Sequence, residues 1–266
     1  MLLLLVIILS LVFIHELGHY VVGRLCGVGI QEFSVGFGPK IFSFNAFGNK
    51  WSLGLLPLGG YVKFEGEEDY NNTTRNPKSF WAAHPLRRMI IALAGPATNL
   101  ALPYAIFFFY LWGMPWSDVK APDGSNVGTV SAPWAWKGSV DTTHKMYYNI
   151  YKSIDIIKDR GVSVKDVGGP VAIYEITEQA QAKSTQTKDN GFIYQWIAFL
   201  SINLGIINLL PIPLLDGGHV VFSIAETIMG RKVKYRTRAW LSYVGLAFVV
   251  GIMALAITSD IGRLIG

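Results

Sequence analysis

The chain alternates between long apolar stretches and shorter polar ones. Four stretches are long enough to cross about 30 Å of hydrocarbon: residues 1–23, 89–113, 192–226 and 240–258. The third is interrupted by Pro211 and Pro213 and carries Asn203, Asn208 and Asp216. Backbone groups freed at membrane depth must face protein or a water-filled cavity, so a broken helix is expected there. After the first stretch the period changes. In Ile41 to Ala46, Phe42, Phe44 and Ala46 alternate with Ser43 and Asn45. Phe47-Gly48-Asn49-Lys50 reads as a turn, and Trp51, Leu53 and Leu55 as the return strand. Tyr61 to Phe64 suggests another strand. The expected fold is an α-helical integral membrane protein of about four transmembrane helices, the third broken, with a β-hairpin or small sheet after the first.

The connections are less regular. Met114 to Val140, rich in Pro, Gly, Trp and Ser, reads as a linker. Lys145 to Arg160 has weak helical periodicity, and Val171 to Ala182 reads as an amphipathic helix after the Gly168-Gly169-Pro170 breaker. This divides the chain into residues 1–113, with two helices and the hairpin, 114–191, a loop, and 192–266, with the last two helices.

Composition narrows the class. Of 266 residues, 15% are charged, against about 25% in soluble domains. The net charge of +5 does not call for nucleic acid, because the basic residues cluster at the ends of apolar stretches. Arg24, Arg87 and Arg88, and the run Arg231, Lys232, Lys234, Arg236 and Arg238, place the loops 24–88 and 227–239 on the cytoplasmic side and both termini outside. The loop 114–191 holds nine basic and nine acidic residues. Cys26, the only cysteine, excludes an internal disulfide and a cysteine zinc site. Residues 1–14 lack the basic start and small-residue cleavage site of a signal peptide, so they read as a retained span.

The chemistry lies in His15-Glu16-Leu17-Gly18-His19, inside the first apolar stretch. On a helix, H-E-x-x-H puts two imidazoles on one face about 6 Å apart along the axis, with a carboxylate beside them. They can share one Zn²⁺ while Glu16 reaches a metal-held water. His19 is about 7.5 Å of helix rise from Arg24, which places the metal in the hydrocarbon near the cytoplasmic face. A third protein ligand is needed. Glu32 is the nearby carboxylate, and Asp216 is the better candidate, because an acidic residue in an apolar segment is costly unless it functions. The combination implies a protease working inside the bilayer.

With these motifs, Gly36-Phe37-Gly38-Pro39, Pro57 to Lys63, Ala94-Gly95-Pro96-Ala97-Thr98-Asn99 and Asn203 to His219, the chain closely resembles the site-2 protease family, in its bacterial regulator-of-sigma-E branch. The resemblance implies His15, His19 and Asp216 as ligands of one Zn²⁺ and Glu16 as general base. It also implies a membrane-embedded hairpin near residues 41–64, and substrate contact by Asn203, Asn208, Pro211 and Pro213. From the residues alone, the two asparagines serve equally as interhelical hydrogen-bonding groups. Substrates would be single-span membrane proteins of anti-sigma-factor type, or remnant signal peptides, in a bacterial inner membrane. That branch usually carries PDZ domains after the second span. Val127-Gly128-Thr129-Val130 resembles the start of one, but too few residues follow to complete it. A metal transporter and an inactive helix-binding scaffold are the rival readings. Glu16 argues against the first, and the intact motif against the second.

Overall fold

The computed structural model describes residues 1–70, 76–113, 132–160 and 168–265. The elements run α1 (Leu2–Leu25), β1 (Ile30–Ala46), β2 (Asn49–Phe64), α2 (Pro85–Gly113), α3 (Ala132–Arg160), α4 (Pro170–Thr187), α5 (Gly191–Asn208), α6 (Asp216–Met229) and α7 (Tyr235–Ile265). Among the described residues four helices are long and apolar enough to cross a membrane: Leu2–Leu25, Pro85–Gly113, Gly191–Asn208 and Tyr235–Arg263. The third apolar stretch is broken. α5 stops at Asn208, and the chain resumes as α6 only at Asp216. Pro211 and Pro213 explain the stop, since neither can donate to a continuing helix.

Two compact units form. The first comprises Met1–Leu100 and Leu204–Ile252. Here β1 and β2 pair antiparallel around the Phe47-Gly48 turn, from Ala46↔Asn49 to Phe42↔Leu53. Both strands outrun a simple hairpin. At Gly36, where φ is +83°, the chain takes a conformation that glycine adopts freely. β1 then doubles over, so that Phe33 lies opposite Val62 on one side and Trp51 on the other. One sheet face is apolar, and Phe33, Val35, Val62 and Phe64 join Tyr20, Phe80, Trp81 and Ile91 in a buried core. The strand that the sequence shows at 41–46 therefore extends back to Ile30, with Phe33 to Gly36 buried in succession.

The second unit comprises Ala101–Asn203 and Met253–Gly266. The predicted helix after Gly168-Gly169-Pro170 is present as α4, with Pro170 in its first turn, where no N–H is required. Its start is held from α7: the Asp260 carboxylate accepts the N–H groups of Gly169 at 3.1 Å and Val171 at 2.8 Å. Asp260→Ala is expected to lower stability by about 1 kcal/mol, the usual worth of an N-terminal cap, measurable as a fall in the melting temperature in detergent.

The predicted linker is corrected in part. Residues 114–131, including Val127 to Val130, lie outside the described residues, but Ala132–Val140 is helical. Its inward face is Ala135, Ser139 and Thr143, each 0% exposed. These small residues at i, i+4 and i+8 pack closely without leaving a hydrophobic signature.

Candidate metal centre

α1 and α2 cross in close contact. A Cβ at Gly18 would lie 2.6 Å from the Ala94 carbonyl oxygen, and Thr98 donates to the Ile14 carbonyl at 3.2 Å. The small residues let the backbones approach. His15 and His19 are buried at this crossing, at 6% and 8% exposure. α6 brings the third group. Gly217 and Gly218 pack directly on the carbonyls of Leu209, Leu210 and Ile212, leaving no room for a Cβ. This tight turn starts α6 with Asp216 at its first position.

The three predicted ligand residues meet. Nε2 of His15 lies 3.0 Å from Asp216 Oδ2, Nε2 of His19 lies 3.4 Å from the same oxygen, and the two Nε2 atoms are 3.3 Å apart. Ligand atoms about 2.0–2.1 Å from one tetrahedral Zn²⁺ would stand about 3.4 Å apart, so the set fits zinc. Opposite them is Gly95 of α2. A Cβ there would overlap Nε2 of His19 and stand 2.7 Å from Nε2 of His15. Glycine at this place keeps the ligand nitrogens clear.

Both rings are oriented from behind. His19 Nδ1 donates to the Ile91 carbonyl at 2.7 Å, and the Asn99 amide meets His15 Nδ1 at 3.2 Å. A ring that offers Nε2 to a metal carries its hydrogen on Nδ1; the Ile91 carbonyl, which can only accept, fixes that tautomer for His19, while the Asn99 side chain holds the His15 ring in place. Sequence reasoning missed this contact of Asn99 with His15. Its spacing from Gly95, i and i+4 on one face of α2, was the available signal. Asn99→Ala is expected to weaken zinc binding about 10–100-fold, the usual effect of losing such a partner, read by competition with a chelator.

Glu16 sits on α1 beside His15, against β2. A Cβ added at Gly60 would come within 2.8 Å of its Cγ. Glu32, the other carboxylate considered as a ligand, belongs to the sheet instead. It accepts from Ser52 at 2.6 Å and Tyr61 at 3.1 Å, with Lys40 and Lys50 at 3.9 and 3.8 Å. Burial pushes its carboxyl up, but these hydrogen bonds and cations hold it below the ordinary value.

The residues assigned to substrate are placed as follows. Asn203 donates to the Phe199 carbonyl of its own helix at 2.8 Å. Asn208 ends α5. Pro211 and Pro213 lie in the turn that delivers Asp216, where Pro213 packs on Gly245 of α7. Arg88 and Arg238, read in the sequence as markers of orientation, are buried at 2% and 8% exposure. The Glu226 carboxylate lies 2.5 Å from Arg88 and 3.8 Å from Arg238.

Comparison with known proteins gives a consistent result. The sequence profile of peptidase family M50 matches residues 3–252. A Campylobacter jejuni protein is 28% identical over 98% of this chain and 92% of its own length. A Clostridium acetobutylicum protein is 27% identical over 94% of each chain, and one from Brucella suis is 27% identical over 94% and 92%. All three carry provisional names as zinc metalloproteases. The first alignment runs to 347 positions against 266 residues here, so that relative has residues without a counterpart in this chain.

Proposed function

The chain belongs to peptidase family M50, the site-2 proteases, and from that membership we propose that this zinc metalloprotease hydrolyses peptide bonds inside the membrane-crossing segments of single-span proteins. The observation that carries the reading is the position of the metal-ligating set. His15, Glu16 and His19 lie within an apolar helix long enough to cross a bilayer. A site built for soluble substrates has no reason to be there.

His15, His19 and Asp216 would hold one Zn²⁺. Zinc, when bound, lowers the pKa of water towards about 7 and polarises the scissile carbonyl. Glu16 takes the proton of the attacking water as its oxygen bonds to the carbonyl carbon. When the C–N bond breaks, Glu16 delivers that proton to the leaving amine. A peptide bond within an intact helix is shielded, so the substrate must unwind locally. The tract Ile41–Ala46 has strand partners on one side only among the described residues, and Phe42 and Phe44 are 60% and 48% exposed. This edge can hold an unwound segment by strand addition. Asn203, Asn208, Pro211 and Pro213 are proposed to receive its freed backbone groups.

The basic residues at the ends of the spans support an orientation with both termini outside and the site near the cytoplasmic face. The relatives are bacterial, which favours a bacterial cell membrane and substrates such as anti-sigma factors or remnant signal peptides. In this arrangement 1–113 and 192–266 carry the site, and 114–191 is an extracytoplasmic connection without a PDZ domain. The test is cleavage of a single-span model substrate by purified protein in detergent, with the products mapped by mass spectrometry. A cut in the cytoplasmic half of the span is expected. Efficient cleavage of casein, with the span left intact, would overturn the proposal.

A further inference from the structure

α6 has an inward face that the metal-ligating set does not use up. Asp216, His219, Ser223 and Glu226 follow at i, i+3, i+7 and i+10, within about 80° of one another around the helix. Ser223 and Glu226 are buried. Glu226 accepts from Arg88 of α2 at 2.5 Å, from the Val233 N–H at 3.0 Å and from the Tyr70 hydroxyl at 3.2 Å. A carboxylate gripped from three sides fixes the rotation of its helix. Arg238 of α7 stands 3.8 Å from the same carboxylate, its guanidinium between the rings of Trp81 and Phe222 at 4.6 and 4.5 Å.

Arg238 also donates from Nη2 to Nδ1 of His219 at 3.2 Å. An arginine keeps its charge at any working pH and offers no acceptor. Nδ1 of His219 must therefore be the accepting nitrogen, and the ring hydrogen is on Nε2. His219 is thus locked as a neutral Nε2–H donor, about 4.5 Å of helix rise beyond Asp216 on the same face. Nε2 has no hydrogen-bond partner among the described residues. Neither nitrogen has a lone pair to spare for a metal. A third histidine can therefore stand next to the site without closing the coordination position that a hydrolytic zinc keeps open.

We propose that His219 is a further catalytic residue of this protease: its Nε2–H donates to the scissile carbonyl oxygen as negative charge builds there, with Arg238 and Glu226 as positioning residues that fix its tautomer and aim. The proposal rests on the reading of the chain as a zinc endopeptidase. No proton leaves Nε2. The ring acts as a fixed dipole, a role worth about 10²–10³ in kcat where it has been measured.

The test compares H219L with H219Q in the purified full chain, because the glutamine amide can place a donor near the position of Nε2. In H219L, kcat should fall about 100-fold with KM and zinc content unchanged, and H219Q should recover most of the loss. A second arm does not need turnover. A phosphinate peptide carries an anionic oxygen where the carbonyl oxygen would be, so it should bind H219L about 100-fold more weakly. A simple hydroxamate chelator should bind both forms alike. Equal losses in H219L and H219Q, zinc loss in H219L, or unchanged phosphinate affinity would each overturn the proposal and leave His219 a structural residue. A wild-type chain that cleaves no substrate would defeat the endopeptidase reading, while the binding arm would still decide the role of His219.

Discussion

Glu16→Gln is expected to lower cleavage by about 10²–10⁴-fold while zinc remains bound. The carboxamide has nearly the same shape as the carboxylate, so the contact between Glu16 and the Gly60 backbone survives. The proposed ligand set is untouched, because His15, His19 and Asp216 gather without Glu16. What is lost is the group proposed to take the proton from water and return it to the amine, and general acid–base groups contribute on that scale. The measurement pairs cleavage of a single-span substrate with elemental analysis for zinc. Full activity in the variant would remove Glu16 from the mechanism, and a metal-free variant would make it a residue of the metal site.

Asp216→Ala is expected to empty the site while leaving the fold intact. It removes the only anionic member of the set, and two neutral imidazoles hold zinc poorly. The loss of affinity should exceed the roughly 10–100-fold effect expected from losing Asn99, because a ligand goes rather than its support. The fold should hold for two reasons. An uncompensated carboxylate in an apolar segment is itself costly. α6 also keeps its second anchor, the grip of Arg88 and Tyr70 on Glu226. Zinc content after dialysis and a thermal melt in detergent check both halves. A variant that retains stoichiometric zinc would reassign the third ligand.

Much of this molecule was legible in its sequence because membrane segments advertise themselves by length and apolarity. The i, i+4 histidines needed only a helix to meet. Asp216 was conspicuous because an acid in an apolar run demands a reason. The Phe47-Gly48 turn and the break before α4 followed from ordinary turn chemistry. What escaped depended on helix rotation and backbone distance, which one sequence does not carry. Arg88 and Arg238 look like any basic residues at the ends of spans; only the rotation of α2 and α7 shows that they point inward to Glu226. Gly95 and Asn99 read as generic small and polar positions until α1 is laid across them. The first turns of α3 stayed hidden because Ala135, Ser139 and Thr143 make a packed face without any large apolar residue.

His15 and Asp216, 201 positions apart in the chain, share one hydrogen bond at 3.0 Å. Ribosomes make the chain from its first span onward at about 5–20 residues per second, so the histidines wait roughly 10–40 seconds for the aspartate to be synthesised. During that interval the nascent protein has only two of the three residues proposed to hold zinc, and on that assignment it is expected to be inactive. Under the proposed ligand assignment, dividing the three residues between α1 and α6 makes synthesis through Asp216 a condition for hydrolysis.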